Sequence, residues 1–446
     1  MLEKIYNVSP ILIQNLMVSV QGLIFKRQRY SKYYHEELKT LRETTDFYQL
    51  QEQRLKSFLT YIKKNSPYYA QILNSFQEPV TIHNLSKLPY LTKDDIREHL
   101  NELITNQKSK LIKMGTGGST GKSMNFYTSS YDMSRKIAYL DFFKEQHGVK
   151  MGMKRASIGG RKIIPLHQKK KVFWRFNQPL NQLLLSAYHT SDDNLKYYVE
   201  KLNQFKPKSI DGYTTTIHRL AQYILKYGIK LKFSPIAIFP TAEALTCEMK
   251  EDIERAFRCP VRNQYASSEG APFITENGNG ELEIDPATGV FELKQVQGHI
   301  YELIVTSFYT SSTPLVRYQI GDAVELANTL PENYTQQDIK IKRIIGRNND
   351  FLQSEEKGIV TNVNLSTAVK ATNNLIEDSQ FVQNSMDMIE VYLVINNRTQ
   401  KQAVIRILTE ELKVRFGEKM KFNFNFVDSV AQTPGGKKRF TINNIK

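Results

Sequence analysis

Met114-Gly115-Thr116-Gly117-Gly118-Ser119-Thr120-Gly121-Lys122-Ser123 packs four glycines, four hydroxyl residues and one lysine into ten positions. Glycines let a backbone turn tightly and come close to a ligand, and successive backbone N–H groups in such a turn form a concavity for anions. Thr116, Ser119 and Thr120 add hydroxyl donors and Lys122 adds a point charge, so the loop suits a polyphosphate. It is not a Walker A loop. That motif would need its first glycine at position 116, where Thr stands, and a helix after the lysine, where Asn125 to Thr128 reads as a strand. The plain alternative is a glycine-rich surface turn with no ligand.

The segments around the loop are those of an α/β chain. Upstream, Gln51 to Lys64 carries Leu55, Phe58, Leu59 and Ile62 at helical spacing, and Asn65-Ser66-Pro67 ends that helix. Thr92 reads as the N-cap of the next one. Downstream, Ser130 to Gln146 and Asp193 to Phe205 are amphipathic helices, and Ser209 to Tyr213 is a short strand. Pro235 to Phe239 is an apolar run that reads as a buried parallel strand, and residues 165–182 read as irregular. In open α/β sheets ligands bind beyond the C-terminal strand ends, which directs attention to Thr241-Ala242-Glu243-Ala244-Leu245-Thr246. From about residue 278 the texture turns to β, and the last hundred residues read as a compact α+β unit.

Composition bounds the function. The chain has 446 residues, enough for one large and one small domain, with ordinary apolar and charged fractions. Cys247 and Cys259 lack metal spacing and are too few for a disulfide framework, which points to reduced thiols in the cytoplasm. The net charge of +16 is dispersed, and no helix-turn-helix, RNA-binding or zinc signature accompanies it, so nucleic acid is not expected as a partner. Ile11 to Phe25 is apolar but interrupted by Gln14, Asn15, Ser19 and Gln21. It is too short and polar to span a bilayer, and a basic cluster follows it. It reads as a packed or surface helix, with reversible peripheral membrane contact through residues 10–30 as the alternative.

Four more stretches complete the pattern: Tyr265-Ala266-Ser267-Ser268-Glu269, Pro314-Leu315-Val316-Arg317-Tyr318-Gln319-Ile320-Gly321-Asp322, Ile345-Gly346-Arg347-Asn348-Asn349-Asp350 and Thr433-Pro434-Gly435-Gly436-Lys437-Lys438. With the 116–122 loop and the 241–246 segment, they resemble in order and spacing the motifs of the adenylate-forming superfamily of acyl-CoA synthetases, luciferases and adenylation domains. Within it the chain looks like the phenylacetate–CoA ligases and the related CapK-type proteins of capsular polysaccharide gene clusters, over nearly its whole length.

The resemblance implies an α/β fold: a large N-terminal domain of stacked sheets and helices with a small β-rich subdomain, spanning residues 1–345, and a small mobile C-terminal α+β domain, 346–446. It implies an AMP-forming ligase that uses ATP and Mg²⁺ on a small-molecule carboxylate, with CoA or an amine or sugar-linked acceptor. Thr116, Gly117, Gly118, Ser119, Thr120, Gly121 and Lys122 would cradle phosphates. Ala242, Glu243, Tyr265, Ala266 and Ser267 would border adenine, and Ser268 would contact the α-phosphate. Glu269 would hold the metal, Asp322 the ribose hydroxyls, and Arg347 would face the nucleotide. Asn349 and Asp350 would form the hinge, and Lys437, with Lys438 as competitor, would be the catalytic lysine. Thr241 and Ala266 stand where the family carries glycine, and Asn349 stands where it carries Asp or Lys. Those departures keep a non-catalytic scaffold of the same fold as the alternative, while the missing Phe-Pro after Lys357-Gly358 weakens the expectation of a thioester step.

Overall fold

The computed structural model describes residues 2–445 except 116–124, 162, 166, 167, 169, 348–350, 357, 363, 364, 366, 367, 370, 373, 374, 396, 397 and 433–437. By its internal contacts the chain forms two units. One comprises Met1–Leu293, Ile304–Ile320 and Leu330–Ile341, the other Lys294–Leu303, Gly321–Thr329 and Lys342–Lys446.

The first unit opens with helices α1 (Leu2–Val8), α2 (Ile11–Arg29), α3 (Lys32–Glu43), α4 (Phe47–Asn65) and α5 (Pro67–Asn74). Asp46 caps α4 by accepting from the N–H groups of Tyr48 and Gln49, and Leu55, Phe58, Leu59 and Ile62 form its buried stripe. Ser66 ends α4 and caps α5, whose first residue is Pro67, where a missing N–H costs nothing. Helix α6 (Lys93–Glu98) begins on a reciprocal capping box between Thr92 and Asp95, and α7 (Leu100–Leu103) follows. Strands β1 (Ile112–Gly115) and β2 (Asn125–Thr128) pair antiparallel, with Gly115 opposite Asn125. The glycine-rich loop therefore joins two strands, as its flanks predict. The loop itself lies outside the described residues. Helix α8 (Ser130–Gln146) comes next.

A five-stranded sheet follows, built from β3 (Arg155–Gly159), β4 (Trp174–Asn177), β5 (Gln182–Ser186), β6 (Ser209–Tyr213) and β7 (Ala237–Thr241) in the order β4-β5-β3-β6-β7. All pairs are parallel except β4 with β5. Helices α9 (Asp192–Phe205), α10 (Thr214–Lys226) and α11 (Cys247–Phe257) supply apolar residues to one core: Ile158, Leu183, Leu185, Ile210 and Ile238 of the strands pack with Leu195, Leu202, Ile217, Ile224 and Phe257. Phe143 and Tyr139 of α8 pack with Phe239 and Ala237 of β7. Strand alternation separates the sheet's two surfaces, since successive side chains point opposite ways.

Two local readings are corrected. The 165–182 stretch contains β4, whose alternation is hidden because two of its buried residues are Arg175 and Asn177, at 0% and 4% exposure. Strand β7 lies two residues later than the apolar run, through Pro240, which is tolerated because β7 is an edge strand of this sheet.

Strands β8 (Gln264–Tyr265), β9 (Ile274–Glu276), β10 (Leu282–Ile284), β11 (Gly289–Gln297), β12 (Ile300–Ser307), β13 (Tyr318–Leu326) and β14 (Ile341–Arg347) form a sheet of order β11-β12-β13-β14-β10-β9-β8. In the second unit β15 (Phe351–Ser354) pairs with β16 (Gly358–Thr361). A four-stranded sheet, β19-β18-β17-β20, contains β17 (Ile376–Ser385), β18 (Met388–Ile395), β19 (Lys421–Phe426) and β20 (Thr441–Asn443). Phe381, Val391 and Leu393 of that sheet pack with Val404, Leu408, Leu412 and Phe416 of α12 (Lys401–Phe416).

Candidate active site

The C-terminal ends of β3, β6 and β7 converge on a group of polar side chains. The Tyr188 hydroxyl donates to the Gly160 carbonyl at 2.8 Å. Tyr213 ends β6 and also hydrogen bonds to the Gly160 backbone. Burial pushes its hydroxyl pKa up, with Tyr188 and Glu243 adding to the rise. Glu243 follows β7 and accepts from both the N–H and the hydroxyl of Thr215, each at 2.8 Å, while the Thr214 hydroxyl donates to the Glu243 carbonyl at 3.1 Å. Glu243 thus ties the end of β7 to the first turn of α10. Ala242 is held at φ +69°, a left-handed conformation that L residues avoid and that clusters at functional sites.

The second motif reaches the same end of the sheet. Val261 bridges parallel to Ile238 of β7, so the chain leaving Val261 runs alongside β7 toward its C-terminus and delivers Tyr265 to Glu269 there. Tyr265 is buried in β8 and pairs with Ile274 of β9. Ala266 packs against the core that contains Phe239 and Tyr139. The Ser267 hydroxyl accepts from the N–H groups of Gly270 and Ala271 and closes the loop, and Gly270 adopts φ +100° against Thr310. Ser268 is exposed and Glu269 is 4% exposed.

Lys136 of α8, which the sequence did not single out, points into this loop. Its ammonium donates to the Ser267 carbonyl at 2.8 Å. Burial pushes its pKa down to about 8, and the nearby Glu269 carboxylate pulls the other way. No local signal in the sequence could have found it, since Lys136 follows Ser134 and Arg135 as an ordinary helix lysine would.

Helix α8 is fixed firmly enough to aim Lys136. The Asp132 carboxylate accepts from the N–H and hydroxyl of Ser311 and of Ser312 at 2.6–3.0 Å, and from the Ser129 hydroxyl at 3.1 Å. Thr313 accepts from the Tyr127 N–H and donates to the Tyr127 carbonyl, both at 3.0 Å, which anchors β2 and with it one arm of the glycine-rich loop. Arg135 reaches Glu37 of α3 at 2.8 Å. Glu37 also meets Arg54 at 2.7 Å and accepts from the Tyr309 hydroxyl at 2.7 Å. In the Pro314–Asp322 motif Arg317, at φ +49°, binds Glu292 through Nε and Nη2 and donates to the carbonyls of Ser86 and Leu88. It is a structural clamp within that motif.

Glu269 is the lone carboxylate of its loop. Among the described residues no group of three or more His, Cys, Asp or Glu side chains could hold a metal. One buried carboxylate fits Mg²⁺, which takes one or two carboxylates and completes its shell with water and phosphate oxygens.

The second unit carries the remaining predicted residues. Asp322 is 6% exposed in β13, behind Gly321, whose φ of +77° is what the glycine supplies. Arg347 ends β14, and Asn349, Asp350 and Lys437 lie outside the described residues. Lys438 is engaged: its ammonium pairs with the Asp378 carboxylate.

Residues 352–444 match the CapK C-terminal domain family. Over its full length the chain is 65% identical to Protein CapK of Staphylococcus aureus, also covered completely. It is 20% identical to a phenylacetate–coenzyme A ligase of Thermus thermophilus, over 91% of this chain and 96% of that one. Among solved structures it is similar to a 2-hydroxyisobutyryl-CoA ligase in the postadenylation state in complex with R3-HIB-AMP, with a TM-score of 0.67, 14% identity and 88% of each chain covered. The fold is thus that of the adenylate-forming CoA ligases.

Proposed function

The chain belongs to the CapK family, and from that membership we propose that it is an ATP-dependent, AMP-forming ligase. It activates a carboxylic acid as acyl-AMP and transfers the acyl group to CoA or to an amine or sugar-linked acceptor, in the assembly of cell-surface polysaccharide. It works in the cytoplasm, with peripheral contact at the inner face of the membrane as the alternative. The observation that carries this reading is Lys136 holding the loop of buried Glu269 through the Ser267 carbonyl at the C-terminal strand ends, on the fold of a ligase that holds an acyl-AMP.

A carboxylate is a poor electrophile. In the proposed step its oxygen attacks the α-phosphorus of ATP, the bond from that phosphorus to the bridging β-phosphate oxygen breaks, and pyrophosphate leaves. Two anions must be brought together, so positive charge aimed at the reacting phosphorus does most of the work. Lys122, Ser119, Thr120 and the backbone of Thr116, Gly117, Gly118 and Gly121 hold the leaving phosphates. Ala242, Glu243, Tyr265, Ala266 and Ser267 shape the adenine slot, Ser268 contacts the α-phosphate, Asp322 binds the ribose hydroxyls and Arg347 faces the nucleotide. Lys437 supplies charge to the carboxylate and α-phosphate. The pairing of Lys438 with Asp378 favours Lys437 for that role. Mg²⁺ held by Glu269 would neutralise phosphate charge. Lys136 orients the Glu269 loop and keeps a second cation beside it.

The test is carboxylate-dependent ATP–pyrophosphate exchange over aryl, fatty, amino and uronic acids. Exchange with one class, lost in Asp322→Ala and Lys437→Ala, supports the reading and gives the acid. Addition of CoA or amines then identifies the acceptor. Absence of ATP binding would overturn it in favour of a scaffold.

A further inference from the structure

Helix α2 turns its polar side to the protein and its apolar side to solvent. Gln14, Val18 and Gly22 are its buried residues. The Gln14 amide donates to the carbonyls of Tyr6 and Ser9, and its oxygen accepts from buried Arg175. Asn15 accepts from the Phe176 N–H at 2.9 Å, and the Ser19 hydroxyl donates to the Phe176 carbonyl at 3.2 Å. These polar residues, which interrupt the apolar run in the sequence, dock the helix on β4. Opposite them, Leu12, Leu16 and Val20 are 81%, 64% and 54% exposed, and Ile24 continues the row. Of the sixteen large apolar side chains exposed among the described residues, eight lie between Ile5 and Ile24. Single exposed leucines need no explanation, but a contiguous stripe marks an interaction surface.

The stripe ends in charge. Lys26, Arg27 and Arg29 occupy the last turn, and the guanidinium groups of Arg29 and Arg161 both lie over the Phe25 ring. Beside it is a cleft of about 70 Å³ lined by Lys26, Tyr30, Lys144, Lys150 and Arg155, with Asp141, whose carboxylate accepts from the Tyr34 hydroxyl. The apolar run from Ile11 to Phe25 is about 22 Å long, short of the roughly 30 Å of a bilayer's hydrocarbon. No described helix is long and apolar enough to cross a membrane. An apolar stripe of this length with a cationic end lies flat in the interface.

We propose that α1 and α2 form a membrane-docking face for an anionic bilayer, with Leu12, Leu16, Val20 and Ile24 seated at the headgroup–acyl boundary and the cleft beside Lys26 and Lys150 receiving a lipid phosphate. Charge complementarity selects this occupant. With a chain charge of +16 and a cationic end to the stripe, an anionic surface is favoured over a second copy, which carries the same net charge.

The test is flotation of the full chain with phosphatidylcholine vesicles, with and without phosphatidylglycerol. The wild-type chain should partition at least about tenfold more onto the anionic vesicles, and less as salt rises. Leu16→Glu/Val20→Glu should abolish binding, and Lys26→Gln/Lys150→Gln should remove the preference for phosphatidylglycerol. All four positions are exposed, so thermal midpoints should not move, and lipid-free pyrophosphate exchange should be unchanged in both variants. The proposal is overturned by absence of flotation, by flotation insensitive to Leu16→Glu/Val20→Glu, or by a dimer that this variant dissociates without any vesicle binding. It stands or falls independently of the adenylation reading.

Discussion

The Lys136 ammonium donates to the Ser267 carbonyl at 2.8 Å, from the middle of α8 into the loop that presents Glu269. Lys136→Met removes both the hydrogen bond and the cation. Pyrophosphate exchange should fall about 10- to 100-fold, mainly in kcat. Lys136→Arg keeps the charge and should recover part of the rate. If both variants retained wild-type exchange while the chain remained folded, Lys136 would have only a packing role.

Glu37 is 6% exposed between Arg135 and Arg54. Burial would raise its carboxyl, but the two guanidinium groups and the Tyr309 hydroxyl outweigh it and hold the pKa below the ordinary value of 4.5. A depressed folded pKa means that the unfolded chain binds the proton more readily. The stabilisation is therefore complete above pH 4.5 and is lost as the pH falls through the folded value. Glu37→Gln leaves two buried cations uncompensated and should cost about 3–5 kcal/mol at neutral pH. Urea unfolding at pH 7 and at decreasing pH measures both effects, and the gap between the variant and the wild-type chain should narrow toward acid.

Asp132 accepts from two backbone N–H groups and two hydroxyls of Ser311 and Ser312 while 1% exposed. Hydrogen bonds to a charged group are the stronger kind, and truncation strands these four donors and the Ser129 hydroxyl. Asp132→Ala should cost at least about 3 kcal/mol. Because Asp132 fixes the start of α8, one turn before Lys136, exchange should also fall at temperatures where the variant is still folded. Thermal melting and exchange run on one preparation separate the two effects.

Legibility from the sequence followed whether a residue's role is local. The N-cap at Thr92, the helix end at Asn65-Ser66-Pro67, the strand–loop–strand frame of the glycine-rich segment and the alternation of strands with helices all come from neighbours within a few positions and were legible in the sequence. Lys136 was not, because its partner is 131 residues away and its own neighbours make it an ordinary helix lysine. Arg175 and Asn177 concealed β4 for the same reason. Their burial depends on Gln14 and Gly22 of α2, and polar residues at inward positions erase the alternation by which a strand is recognised. The exposed stripe of α2 inverts the usual inference that apolar residues of an amphipathic helix face the protein, and only the packing of Gln14 and Ser19 against β4 reveals it.

The two adjacent lysines of the C-terminal loop should separate cleanly. Lys438 is paired with Asp378 and is only about a quarter exposed, so its charge is already committed. Lys438→Met should cost stability on the order of 1 kcal/mol, the scale of a partly exposed pair, while leaving pyrophosphate exchange within about threefold of wild type. On the proposed function, in which Lys437 supplies charge to the carboxylate and α-phosphate, Lys437→Met should lower exchange by about 100-fold or more. Asp378→Asn then serves as the control. It removes the partner of Lys438, so a partial rescue of Lys437→Met by Asp378→Asn would mean that the neighbouring lysine can substitute once released. The reverse pattern, with exchange lost in Lys438→Met and kept in Lys437→Met, would reassign the catalytic role.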